Sequence, residues 1–206
     1  MMLTPMTRRN VLVLLGAGCA AVLTARFTPA MAQESRDTAF VRQLSEKMIA
    51  IINGPGSMAE KRQQILPLID QNVDVDGIAR FCLGRFWRTA TPAQQQDYLR
   101  LFHDVLLNNV GSKLGEFQGV TFKLTQTTQR EGETLVGTLI TRPNQKPNNV
   151  QWVVEPAGGR PKIMDVIAEG TSLRLTQRSD YAAYLSRNNN DVGALINAMR
   201  QQVERS

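Results

Sequence analysis

Hydrophobic positions along the chain change period once, near its middle. Phe40, Leu44, Met48, Ile51 and Ile52 recur at helical spacing, and the run stops at Gly54–Pro55. Ser57 followed by Glu60 has capping-box spacing and predicts a second helix through "SMAEKRQQILPLIDQ", which Pro67 is expected to kink or end. Asp74 or Asp76 can cap a short helix through Cys82, with Gly84 as its stop. Thr91–Pro92, a capping hydroxyl before proline, opens a long helix. The stripe Leu99, Phe102, Leu106, Val110 and Leu114 is expected to face its interior side.

From Gly119 the period becomes two. Val120, Phe122 and Leu124 alternate with polar residues, and "TLVGTLITR", "VQWVVE" and "KIMDVIAEG" follow across the turn segments "REGE", "PNQKPNN" and "PAGGRP". Short connections predict an antiparallel sheet of about four strands. The last three are apolar on both parities, so both faces should be at least partly covered. Two helices close the chain, one carrying Tyr181, Tyr184 and Leu185, the other Val192, Leu195, Ile196 and Met199. Helices, then strands, then helices define an α+β fold, with helices packed on a twisted sheet.

The N-terminus sets the compartment. Arg8 and Arg9 precede a 13-residue apolar run, Val11–Leu23, too short to span a bilayer, and Ala30 and Ala32 offer a small-residue cleavage site. Residues 1–32 are therefore expected to be a cleaved export signal, leaving one domain over residues 33–206 in the periplasm. "TRRNVL" is similar to a twin-arginine signal, and a general secretory signal with adjacent arginines is the alternative. Cys19 follows "GAG", which lacks the leucine a lipid-attachment site prefers. Cleavage removes Arg8, Arg9 and Arg26 and no acid, so the formal charge falls from +6 to +3. That balance calls for no nucleic-acid partner.

Beyond the leader there is one cysteine, Cys82, and one histidine, His103. A lone cysteine excludes an intramolecular disulfide, and one thiol with one imidazole is too few for a closed metal site. A secreted hydrolase using Cys82 would need His103 in hydrogen-bond reach and an oxyanion hole, but Cys82 stands between Phe81 and Leu83, where a thiol is usually buried. No phosphate-binding glycine loop or nucleophile-elbow motif occurs. No cofactor is expected.

"FCLGRFWRTATPAQQQDYLRLF" supplies Leu83, Gly84, Trp87, Arg88, Thr91, Pro92, Gln95 and Phe102, and "KIMDVIAEGTSLRLTQRSDYAAYL" supplies Asp165, Val166, Glu169, Gly170, Ser172, Leu173, Arg178 and Tyr181. In these residues the chain resembles the MlaC family, also called toluene-tolerance auxiliary components: periplasmic phospholipid-binding proteins of ABC-type lipid transport systems. The similarity runs from about Asp37 to Arg205. It implies an apolar cavity between sheet and helices that takes the acyl chains of a phospholipid. A hopanoid-associated (HpnM-like) branch shares the motifs, so a hopanoid is the alternative cargo. The implied partners are an inner-membrane ABC transporter complex with its substrate-binding subunit and an outer-membrane lipoprotein complex, with the carrier itself a monomer.

On that resemblance the candidate wall is Phe81, Trp87, Leu99, Phe102, Leu106, Phe122, Leu124, Val136, Ile140, Trp152, Val154 and Ile163. Arg85, Arg88 and Arg178 are candidates for a headgroup rim, where guanidinium meets phosphate. Asp165, Gly170 and Ser172 are read as architectural, ending a strand and starting a helix.

Overall fold

The computed structural model describes residues Glu34–Arg205; the expected leader lies outside the described residues. Four helices come first: α1 (Arg36–Asn53), α2 (Met58–Asn72), α3 (Val75–Leu83) and, after a 3₁₀ segment at Gly84–Arg88, α4 (Pro92–Lys113). Strands β1 (Thr121–Arg130), β2 (Glu133–Thr141), β3 (Asn148–Ala157), β4 (Arg160–Ala168) and β5 (Thr171–Ser172) follow, then α5 (Leu173–Arg187) and α6 (Val192–Glu204). The sheet is an antiparallel meander in chain order.

Local chemistry sets most boundaries. The Ser57 and Thr91 side chains accept from the backbone N–H of Glu60 and Gln94, whose side chains accept in return from the cap N–H groups. Asp74 caps α3 through Gly77. Gly84 ends α3 at φ +59°, and a Cβ there would lie 3.2 Å from the Arg178 guanidinium, so the site demands glycine twice over.

Three expectations are corrected by the structure, two of them through tertiary packing and one through a local turn. Pro67 neither ends nor splits α2. Its neighbours Ile65 and Ile69 are both buried in the same cluster, and Gln63, whose carbonyl loses its partner to the proline ring, is exposed to water. Burying two isoleucines offsets a penalty of about 3 kcal/mol. The buried stripe of α4 is Tyr98, Leu101, Phe102 and Val105, so the helix is rotated and Leu99, Leu106 and Val110 are only half-buried at its margins. Tyr98 can lie inside because its hydroxyl donates to the Ala79 carbonyl at 2.8 Å. The sheet has five strands, not four: Glu169 and Gly170, at φ +48° and +80°, turn the chain so that Thr171–Ser172 pairs back on β4.

Both sheet faces are partly covered, as the strand composition predicts. Val136, Val154 and Ile163 pack under α1 on one face, while Leu135, Val153 and Asp165 are buried on the other. A bulge in β1 sets Thr125 and Gln126 against Gly137 of β2, and a Cβ on Gly137 would stand 2.7 Å from the Gln126 carbonyl oxygen. The outer edge of β4 is closed by β5 and by the α2–α3 link, where Val73 bridges to Ile163 and the Asp74 N–H donates to the Ile163 carbonyl at 3.0 Å.

Candidate lipid-binding site

The apolar interior is divided into three clusters. One is helical, built by α3, α4, α5 and α6. A second lies between α1 and the sheet, and a third joins α1, α2 and the end of α4 to Val120. Val73, half-buried, packs against all three. The interior therefore has a seam, and the α2–α3 link stands at the junction.

The twelve candidate wall residues distribute over these clusters. Leu124, Val136, Trp152, Val154 and Ile163 come together on the sheet face under α1. Phe122 is half-buried opposite Ile140 in the strand register, and Ile140 packs on the third cluster. Phe81, Trp87, Leu99, Phe102 and Leu106 belong to the helical cluster, with Leu106 also touching the third. The geometry thus gives not one ring of side chains but two groups, sheet and helical, adjoining at Val73.

Helix α1 supplies side chains absent from that candidate wall. Val41 and Leu44 are buried against the sheet, and Phe40 and Met48 are half-buried beside them. Their period-four spacing was the available signal; what it could not say was which sheet face the helix crosses. α1 is pinned at its two ends by polar contacts. At one end Thr134 donates to the Asp37 carboxylate, and the Thr38 and Thr127 hydroxyls lie 3.0 Å apart. At the other the Asn53 amide donates to the Val120 carbonyl at 2.9 Å and its oxygen accepts from the Gly119 N–H at 2.8 Å. Between the pins the packing against the sheet is aliphatic and aromatic. The Trp152 indole N–H is satisfied by Thr138 at 3.0 Å, so the ring adds no unpaired donor to that space.

On the opposite sheet face Arg174 is the hub, a role that no local pattern in the chain marks. Its guanidinium meets Glu133 of β2 at 2.9 Å, Glu155 of β3 at 3.5 Å and Asp165 of β4 at 3.6 Å. Asp165 also accepts from the Ser172 hydroxyl and from the N–H groups of Val166 and Arg174. Asp165 and Ser172 are architectural in this sense: the carboxylate ties the start of α5 to the sheet. Burial, then the adjacent Glu133 carboxylate, hold the Glu155 carboxyl above its usual range.

The three arginines expected at a rim stand at the far end of α3. Arg85 and Arg88 line a surface recess of about 470 Å³ with Phe86, Thr89 and Asn190. Arg178 lies against Gly84 and over the Phe81 ring at 4.9 Å. A half-buried apolar line, Val73, Ile78 and Phe81, runs from the seam to these arginines.

Cys82 and His103 are engaged elsewhere. The thiol is 1% exposed and donates to the Arg174 carbonyl at 3.5 Å, and burial, then the Asp165 carboxylate, push it up to about 12. His103 Nε2 lies 2.8 Å from Asp70 on α2. Neither contact joins the two residues as nucleophile and base. Among the described residues no group of His, Cys, Asp and Glu could hold a metal ion, and no helix is long and apolar enough to cross a membrane.

This six-helix, five-strand α+β fold is shared with a solved phospholipid-binding protein from Ralstonia solanacearum, in complex with a phospholipid. The TM-score is 0.73 at 22% identity, over 83% of this chain and 98% of that one. The family model "MlaC protein" matches residues 42–201, and the chain belongs to that family. Toluene tolerance protein ttg2D of Pseudomonas putida is 27% identical over 202 residues, spanning 97% of this chain and 92% of the relative.

Proposed function

We propose that this protein is a periplasmic lipid carrier that hides the acyl chains of a phospholipid in the seam between α1 and the sheet. The observation that carries the reading is the way α1 crosses the sheet: hydrogen-bonded at both ends, apolar between, with Phe40, Met48, Leu124, Trp152 and Val166 only half-buried on the packed cluster. The half-buried apolar groups between the two polar pins are where we place the acyl chains. Membership of the MlaC family and the phospholipid in the Ralstonia structure support the same reading.

The energetics explain why such a carrier is needed. At about 0.8 kcal/mol per methylene, a tail of about sixteen carbons loses roughly 12 kcal/mol on entering water. The seam replaces that exposure with apolar contact. The tails extend along Val73, Ile78 and Phe81, and the headgroup rests near Arg85, Arg88 and Arg178 in water. Lipid passes between an inner-membrane ABC transporter complex and an outer-membrane lipoprotein complex, and any nucleotide is consumed by those partners. The chain itself performs no bond-breaking step.

Two substitutions test the seam. Leu124→Trp fills space if the seam opens for lipid, but overpacks a solid core at a typical ~1–3 kcal/mol. The carrier reading expects near-normal stability with less retained lipid. Phe122→Asp places an unpaired charge beside the tails and should lose lipid and some stability. If Leu124→Trp unfolds the protein while lipid occupancy in the folded fraction stays normal, the seam is plain core.

A further inference from the structure

Four arginines cluster where α3 passes into the 3₁₀ segment: Arg80, Arg85, Arg88 and, from α5, Arg178. All four are exposed, and none forms an ion pair among the described residues. The contrast with Arg174, which meets three carboxylates, is sharp. Three of the four are held on aromatic rings instead: Arg80 over Trp87 at 5.3 Å, Arg85 over Phe86 at 4.9 Å and Arg178 over Phe81 at 4.9 Å. A guanidinium seated on a ring has one face desolvated and oriented while its N–H edge stays free for oxygen. The recess between Arg85 and Arg88 has no carboxylate in its lining, and the nearby Asp191 is committed to capping α6 through Gly193.

The same surface carries an apolar prong. Leu175 is 57% exposed and stands three residues before Arg178, on the same side of α5. Oriented cations beside an exposed leucine and a half-buried tryptophan are the chemistry of a bilayer interface, where phosphates meet the cations and apolar tips enter below them. An acidic protein face would match the charges but offers nothing to Leu175.

We propose that this arginine face docks the protein onto anionic phospholipid bilayers, with the headgroup rim turned toward the membrane. The proposal deepens the carrier reading by naming the surface the rim meets, and docking is measured separately from cargo. Co-sedimentation of the lipid-loaded protein should show binding to vesicles of phosphatidylcholine with about a third phosphatidylglycerol, and much weaker binding to phosphatidylcholine alone. Each basic residue beside an anionic surface contributes about fivefold, so Arg80→Gln/Arg85→Gln/Arg88→Gln should lower affinity on the order of a hundredfold. Arg88→Glu makes no change to any intramolecular contact of that side chain, so it keeps the test independent of folding; it should weaken binding at least about tenfold. Salt at about 1 M should abolish binding in the wild type. Leu175→Ser changes an exposed residue outside the headgroup rim and should also weaken docking; lipid extracted from that variant reports cargo, so a loss of docking with cargo intact is read apart from a failure of the carrier reading. No binding to the mixed vesicles at low salt, or equal binding by Arg88→Glu, overturns the proposal, the former leaving an acidic protein as the counterpart of the face.

Discussion

At neutral pH the Cys82 thiol is protonated, because burial and the Asp165 carboxylate raise it to about 12. Linkage gives the sign of its effect on stability. The unfolded thiol loses its proton near its ordinary value of 9.0, while the folded one keeps it, so this contribution is full below about pH 9 and is lost as pH rises toward 12. A Cys82→Ser variant should flatten that alkaline decline in thermal melts and leave lipid occupancy unchanged. In the native wild type the thiol should resist alkylation at pH 8 and react on unfolding; rapid native alkylation would contradict the burial. A second residue-scale test is Tyr98→Phe, which removes the buried hydroxyl's bond to the Ala79 carbonyl. It should cost about 1–2 kcal/mol in denaturant melts, and an unchanged midpoint would mean water replaces the hydroxyl.

Elements are tied together by interactions of two kinds, and the sequence disclosed only one. Caps such as Ser57 with Glu60 and Thr91 with Gln94 act within four residues, so their spacing is visible in the chain itself. The continuation of α2 through Pro67 and the rotation of α4 toward Tyr98 depend on what packs against them from far along the chain, whereas β5 is a local pairing, only two residues long, formed by the Glu169–Gly170 turn. Arg174 is the extreme case, since its three carboxylates come from three strands, the farthest of them 41 residues before it in the chain. The candidate wall shares that limit: alternation in β1 marked Phe122 and Leu124 as facing inward, but nothing local said that α1, not α4, lies over Leu124. Arg174→Gln should destabilise by about 3 kcal/mol, since it strips the partner from the buried Asp165. Glu155→Gln should behave oppositely. Its raised carboxyl loses stability as pH climbs above the ordinary carboxylate range, so the variant should match or exceed wild-type stability at pH 7, with the difference vanishing below about pH 4. Urea midpoints at the two pH values check both, and equal losses for the two variants would mean the hub is not organised around Asp165.

For the molecule as a whole, the architecture joins a sheet roofed by one helix to a helical cluster, with the α2–α3 link docked on the edge of β4 between them. The two apolar bodies adjoin at Val73 and are separately cored. Bound lipid should add stability by mass action, and delipidated protein should melt at a lower temperature than protein that keeps its cargo. The measurement that bears most directly on the carrier reading is mass spectrometry of lipid extracted from protein purified without detergent. Near-stoichiometric diacyl phospholipid is the expected result; a hopanoid in its place would redirect the cargo but keep the seam. Protein that arrives without lipid, and takes up none when phospholipid is supplied, would contradict the carrier reading.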